Sequence, residues 1–243
     1  FDCTSQEDIN KIADAVVISK IKFLAVDPGP FTATLARKVM RTKSVATAAS
    51  GAKIFGIVGG VNPLISAQVE LLRLEEKVNI VTVHNLELLE DQQHRNAEIN
   101  RVVDEISTKF NNYTISFAVS DNMEVNNQLS AEYQEKLLKT NRTQTEALDI
   151  ISTAYGQIVQ KVLEKRPDVQ ALYTKGAEFT VAAYRELKSM GLKVLGQVLP
   201  LTCYGELIDG DHAGLKCVTS ASSATDTNTI TDSIQYIKRK LAI

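Results

Sequence analysis

Val169-Gln170-Ala171-Leu172-Tyr173-Thr174-Lys175-Gly176-Ala177-Glu178-Phe179-Thr180 carries an apolar strand into a small-residue turn and straight on into a helix. That succession is the unit of an α/β fold. A helix that starts directly after a buried strand presents unpaired N–H groups and the positive end of its dipole at the sheet's carboxyl edge, where a phosphate can sit. Gly176 admits a ligand close to the backbone. The same glycine also serves a turn made for packing alone, so the neighbouring stretches must decide between the two readings.

Strand and helix signals alternate on both sides of this stretch, as in a mainly parallel sheet flanked by helices in three α/β/α layers. Upstream, Ser130 to Lys165 has helical spacing that Pro167 ends. Thirty-odd residues of helix would reach about 50 Å, so either a break, with Gly156 as the weak point, or a helix that overhangs the sheet is expected. Earlier still come a strand over Tyr113–Val119, a helix over Asn96–Phe110, a strand over Val78–Val83 and a helix over Leu64–Leu74. Before that helix, Ile54–Val58 is a strand followed by Gly59-Gly60-Val61-Asn62-Pro63, where Asn62 is a capping residue and Pro63 suits a first turn. Glu87 to Asp91 reads as a solvated acidic face. Downstream, Glu178–Met190 is a helix with Gly191 as its C-cap. The strands Leu192–Leu199, Tyr204–Ile208 and Leu215–Thr219 predict some antiparallel pairing near the C-terminus, before a last helix over Thr229–Leu241.

The first forty residues form a separate group. Ser5 to Val17 has an apolar helical stripe, Phe23-Leu24-Ala25-Val26 reads as a short buried strand closed by Asp27-Pro28-Gly29-Pro30, and Thr32–Met40 is helical. Thr42–Lys53, rich in Ser, Thr and Ala, breaks the alternation and predicts a boundary between a domain over 1–42 and one over 43–243. The chain starts at Phe1 with a helix soon under way, as a fragment of a larger body does.

The chain has 243 residues, 44% hydrophobic and 23% charged, with a net charge of −2. These are the proportions of a globular protein, and the balance lacks the basic excess that nucleic acid demands. No apolar run of about 18 residues or signal peptide is present, which predicts no membrane partner and a cytoplasmic location. Cys3, Cys203 and Cys217 form no CxxC pair, and His84, His94 and His212 have no ligand spacing, so no zinc or other protein-held metal is expected.

Three small-residue turns follow strands: Gly59–Pro63, Thr174–Glu178 and Ser220–Asp226. In an open parallel sheet such turns line one crevice at the carboxyl edge. Backbone amides and hydroxyls there suit a polyphosphate, although neither a Walker A pattern nor a strict GxGxxG is present. His212, in the turn Asp209–Gly214, is placed near that crevice, as a ligand contact or as an ordinary surface histidine.

Residues Ala171–Gly176, Gly191–Pro200, Tyr204–Leu207 and Gly214–Thr219 resemble, in order and spacing, the nucleotide-binding domain of the four-carbon acid sugar kinases. Ile57-Val58-Gly59-Gly60-Val61-Asn62-Pro63, with Gln68 beyond it, is similar to that family's first turn, usually Gly-Ser-x-Ser/Asn-Pro. The likeness covers about residues 51 to 243, and residues 1 to 42 resemble the tail of the family's sugar-acid-binding domain. It implies the ATP-binding part of an ATP-dependent kinase that phosphorylates a threonate- or erythronate-like sugar acid, with Mg²⁺ accompanying the nucleotide. Its partners are then an adenine nucleotide and a small sugar acid, and a homo-oligomer is compatible with it.

Family members hold ATP through the first glycine turn, a Thr-x-Gly-Gly-Asp segment and a late glycine-rich loop. The resemblance therefore implies cofactor-binding roles for Gly59, Gly60, Thr174, Lys175, Gly176, Ala177, Glu178, Ser220 and Ser222. Lys175 would neutralise a phosphate, as positive charges do in phosphoryl transfer, or be a solvated loop lysine. Glu178 would orient water around Mg²⁺ or serve only the helix dipole. The chain departs from the pattern at Gly60, Ala177, Glu178, Ser220, Ser222 and Ser223. The family's Asp-Asp-x-Thr-Gly stretch, which carries the acid or base, is absent, so no catalytic residue is assigned and the chain alone is expected not to turn over. Two rivals stand beside this reading. One is a non-catalytic ligand-binding or regulatory module with drifted nucleotide loops; the other is an oxidoreductase with a dinucleotide at Gly59-Gly60.

Overall fold

The computed structural model describes residues 2–3, 5–26, 30–39, 51–60, 63–121, 124–125, 128–222 and 226–242. They divide into two compact units, residues 1–47 and 48–243.

The first unit is a pair of packed helices, α1 (Gln6–Ser19) and α2 (Pro30–Val39). Ser5 begins α1 with a reciprocal cap: its hydroxyl accepts from the Asp8 N–H at 3.2 Å, and the Asp8 carboxylate accepts from the Ser5 N–H at 3.0 Å, which satisfies two otherwise orphaned donors. Lys38 of α2 meets Asp14 of α1 at 2.6 Å. The strand expected at Phe23–Val26 does not form: Leu24 and Val26 are 88% and 89% exposed. An apolar run becomes a strand only with a partner ladder, and the described residues of this unit contain no other strand. Asp27, Pro28 and Gly29, and residues 42–50 of the expected boundary, lie outside the described residues.

The second unit runs β1 (Lys53–Val58), α3 (Pro63–Glu75), β2 (Val78–Val83), α4 (Asn85–Leu88), α5 (Gln92–Lys109), β3 (Ile115–Ser120), a small ladder of β4 (Glu124–Val125) and β5 (Gln128–Leu129), α6 (Ala131–Thr140), α7 (Gln144–Lys165), β6 (Val169–Lys175), α8 (Ala177–Glu186), β7 (Leu192–Leu199), β8 (Thr202–Leu207), β9 (Lys216–Ser220) and α9 (Thr229–Leu241). Seven strands form one sheet in the order β2-β3-β1-β6-β9-β8-β7. The first five are parallel, and β7, β8 and β9 pair antiparallel. The alternating, doubly buried strand pattern thus gives the α/β fold read from the sequence, with its antiparallel pairs at the C-terminal edge.

Each face of the sheet carries its own core. Phe55, Ile57 and Leu172 pack beneath α5, α7 and α8; Ile54, Val58 and Tyr173 pack beneath α3 and α9. Successive strand residues go to opposite faces, so neighbours such as Leu172 and Tyr173 serve different layers.

The long helical stretch breaks at Asn141, not at Gly156. Asn141 takes φ +49°, a left-handed conformation that its short polar side chain tolerates, and Thr143 with Glu146 caps the new helix reciprocally. Gly156 stays inside α7 because α8 crosses there: a Cβ would lie 2.6 Å from the Ala182 carbonyl oxygen. The next helix, α8, ends at Glu186 rather than Met190, and Gly191 is not its cap. Lys188 turns the chain at φ +56°. The following turn is stapled to residues 209–211, where Asp209 Oδ1 accepts from the Met190 N–H at 2.7 Å and the Asp211 N–H reaches the Leu187 carbonyl at 3.1 Å. The acidic run is only partly solvated, because Leu88 and Leu89 within it are fully buried.

Candidate functional site

Because β1, β6 and β9 are parallel neighbours, their carboxyl ends, and the turns that follow, stand side by side. The Gly59 N–H donates to the Lys175 carbonyl at 3.3 Å, and the Gly176 N–H donates to the Ser220 carbonyl at 3.0 Å. The position of a Cβ on Gly176 is 3.6 Å from Ser222 Oγ and 3.7 Å from the Gly59 carbonyl oxygen. The three turns named from the sequence therefore meet. The chain leaves β1 for α3 on one face and β6 for α8 on the other, which makes the β1/β6 junction the switch point where open α/β sheets hold ligands. His212 lies elsewhere: it precedes the amino end of β9, at the opposite edge of the sheet from the turns.

Glycine is required here for packing as well as access. Phe179, in the first turn of α8, fills the space under both turns; a Cβ on Gly59 would lie 2.2 Å from its ring and one on Gly176 3.0 Å from it. Gly176 has φ +102° and no side chain caps α8, so the helix presents its first N–H groups and positive dipole end at the junction. Ala177 and Glu178 are exposed there. Ala177 puts its methyl group at the helix opening, and Glu178 lines a hollow of about 350 Å³ between α7 and α8.

The hydroxyl residues hold the turns. Thr180 Oγ1 donates to the Gly176 carbonyl at 2.8 Å and lies 2.9 Å from Thr174 Oγ1 and 3.1 Å from Thr219 Oγ1. Thr174 is fully buried in that cluster, and Ser220 Oγ accepts from Thr202 at 3.0 Å. Ser222 is exposed. Gly60 takes φ +67° with open space where a Cβ would be, and Val61 and Asn62 lie outside the described residues. Gln68 of α3 donates to the Asp226 carbonyl at 2.7 Å, tying the loop after β9 to the helix after β1.

Lys175 is not a solvated loop residue. Its side chain is fully buried, and Nζ donates to the Ala221 carbonyl at 3.3 Å. Burial lowers its pKa to about 8.

Two features escaped the sequence reading. A groove of about 590 Å³ runs from Ala177 and Ala221 between α8 and the antiparallel edge, with Val181, Val194, Gln197 and Cys203 on its walls. These residues come from three elements with no shared spacing; the only available signal was the apolar alternation of the late strands. The second is a polar cluster where β2 and β3 end. Asp121 accepts from the Asn85 N–H at 3.2 Å and from Asn85 Nδ2 at 2.6 Å, and Asn85 Nδ2 also reaches Ser120 Oγ at 2.6 Å. Burial raises the Asp121 carboxyl despite these donors. Burial also works against the charge on Glu98, yet Arg101 and the His84 N–H outweigh it and lower that carboxyl.

The sequence model of the nucleotide-binding C-terminal domain family matches residues 55–221. A curated relative, D-erythronate kinase from Heliobacterium modesticaldum, is 26% identical over 243 residues, all of this chain and 54% of its own length. A solved Bordetella bronchiseptica domain of unknown function (DUF1537), a domain-swapped dimer with bound citrate, has TM-score 0.56 at 16% identity over 98% of this chain and 52% of its own. The Haemophilus influenzae protein HI1011 of the same family has TM-score 0.54 at 12% identity, over 96% and 52%. The chain thus spans about half the length of the relatives it matches. Among the described residues, no helix is long and apolar enough to cross a membrane. Residues 55–221, with the turns after β1, β6 and β9 inside or bordering them, are a nucleotide-binding C-terminal domain, and the chain belongs to the four-carbon acid sugar kinase family.

Proposed function

We propose that residues 48–243 bind ATP with Mg²⁺ along the carboxyl edge of the sheet, as the nucleotide half of a cytoplasmic kinase that phosphorylates a four-carbon sugar acid. The observation that carries this reading is that a largely apolar groove ends on the uncapped start of α8, at the point where three turns meet. An apolar groove with a few polar groups suits a base, and a helix N-terminus suits phosphate. The phosphates then lie over Gly176, Ala177 and the Gly59-Gly60 turn, with buried Lys175 adding positive potential from below. Glu178, at the rim, stays with its dipole role. The sugar acid and the in-line transfer to its hydroxyl belong to the whole kinase. The name of the Heliobacterium relative supports the erythronate-like class of acceptor.

Calorimetric titration of this chain with ATP and ADP, each with and without Mg²⁺, tests the reading. Saturable binding is expected, and Ala177→Asp is expected to weaken it at least about tenfold, some 1.4 kcal/mol, because a carboxylate there occupies the field meant for phosphate. Folding stability should hold or rise in that variant; unchanged affinity would remove α8 from the site. The drifted-module reading is favoured by one observation, the Ala177 methyl at the helix opening. It predicts no binding by the parent and binding after Ala177→Gly.

Cys203 reports on the groove. It is half-buried on the groove wall, and burial raises its thiol pKa, so a maleimide should label it slowly. In a Cys3→Ser background, saturating ATP is expected to slow labelling of Cys203 by about tenfold, the occupancy effect of ligand well above Kd. Equal rates with and without nucleotide would place the base elsewhere.

A further inference from the structure

Strand order arranges the candidate site as a line. The groove borders β7, β8 and β9; the α8 opening follows β6; the Gly59-Gly60 turn follows β1; and the next strand along the edge is β3, which ends at Ser120 with Asp121 directly after it. Val58 pairs with Val119, so Ser120 stands level with Gly59 and Asp121 with Gly60. Strands lie about 4.8 Å apart, which puts the end of β3 about 14 Å from that of β9. A nucleotide with its base in the groove and its phosphates at α8 and β1 therefore points its terminal phosphate at Asp121.

Asp121 is held in a fixed position there, and a cation would offset the burial that raises its carboxyl. Two Asn85 donors fix its carboxylate while leaving the side chain 30% exposed, beside a hollow of about 270 Å³ that Ser66, Thr82 and Arg73 also line. Asn85 is itself fully buried, and its Oδ1 has no hydrogen-bond partner among the described residues. Asn85 Oδ1 is thus a buried acceptor left unmet beside the Asp121 carboxylate, the kind of orphaned group that a bound water or ion completes. Among the described residues no three His, Cys, Asp or Glu side chains form a metal cage. A hard cation carried by a nucleotide does not need one: Mg²⁺ takes one or two carboxylates, phosphate oxygens and waters.

We propose that Asp121, positioned by Asn85, is the protein carboxylate that receives the divalent cation of the bound nucleotide at the terminal-phosphate end. This rests on the nucleotide reading above. The test is calorimetry of the 243-residue chain with ATP in Mg²⁺ and in EDTA, for the parent and for Asp121→Asn. Mg²⁺ is expected to raise the parent's affinity about tenfold and the variant's less than about twofold, with affinity in EDTA alike in both. A variant that binds ATP and keeps the full Mg²⁺ gain overturns this proposal and leaves the nucleotide site standing. A parent that binds no nucleotide in either buffer overturns both. Should the variant fail to fold, Mn²⁺·ATP added to the isotope-labelled parent decides the matter. Paramagnetic broadening centred on the Asn85, Ser120 and Asp121 amides supports the site; broadening that spares them overturns it.

Discussion

Replacing Phe179 with Ala should destabilise the nucleotide-binding unit by about 3–5 kcal/mol, the range for removing a buried aromatic ring from a packed core. Phe179 is 3% exposed, its ring lies 5.0 Å from that of Tyr155 in an edge-to-face pair, and it supports the turns after both β1 and β6. The partner position sharpens the prediction. Gly59→Ala introduces no backbone strain, since Gly59 does not have a positive φ, but its methyl would lie 2.2 Å from the Phe179 ring. Forcing it in should cost about 1–3 kcal/mol. In the Phe179→Ala background the methyl has space, and the cost should largely vanish. Urea unfolding of the four proteins measures the coupling. A Gly59→Ala penalty that is the same in both backgrounds would mean that the glycine serves something other than the ring.

Lys175→Met should make the protein more stable at neutral pH, by about 2 kcal/mol. The lysine's folded pKa of about 8 lies below its ordinary value of 10.5. For a base depressed in this way, the cost of burying the charge is fully present below pH 8, and it is relieved as pH rises from about 8 to 10.5. The shift corresponds to about 3 kcal/mol, less about 1 for the hydrogen bond to Ala221 that methionine lacks. The stability difference between the two proteins should therefore shrink across that window. Cys217 and Tyr173, whose pKa values burial raises, act in the opposite sense above pH 9, but equally in both proteins, so the difference isolates the lysine. Parallel stability curves from pH 7 to 10.5 would show that Lys175 is not buried as a charge. A cation kept at such a cost beside a switch point fits a group retained for its field on a bound anion.

The sheet was legible because its strands carry local evidence: doubly buried runs such as Ile54–Val58 and Val169–Lys175, each closed by a glycine turn. The three turns could be named for the same reason. Readings failed where a partner decides. Phe23–Val26 has strand composition, but among the described residues of its unit no strand can pair with it. Gly156 looked like a helix breaker because the helix that crosses it is invisible in sequence, whereas Asn141, with an αL option and a capping threonine two residues on, was the better signal. The groove residues Gln197 and Cys203 meet only through antiparallel register, and Asp121 reads as an ordinary acid after an apolar strand.

Strand order also sets a schedule for folding. Ile54 pairs with Ile115 on one side, but on the other it pairs with Ala171, and Ala171 pairs with Lys216, so one edge of the first strand waits for a strand made late in synthesis, and that strand waits for one made later still. Pairings of such long sequence separation close slowly, and a chain emerging from the ribosome amino end first holds its β1 turn long before the β9 turn exists to complete it. Nucleotide therefore has nothing assembled to stabilise on the nascent chain. On the reading proposed above, it is a ligand of the finished sheet and not a template for its folding.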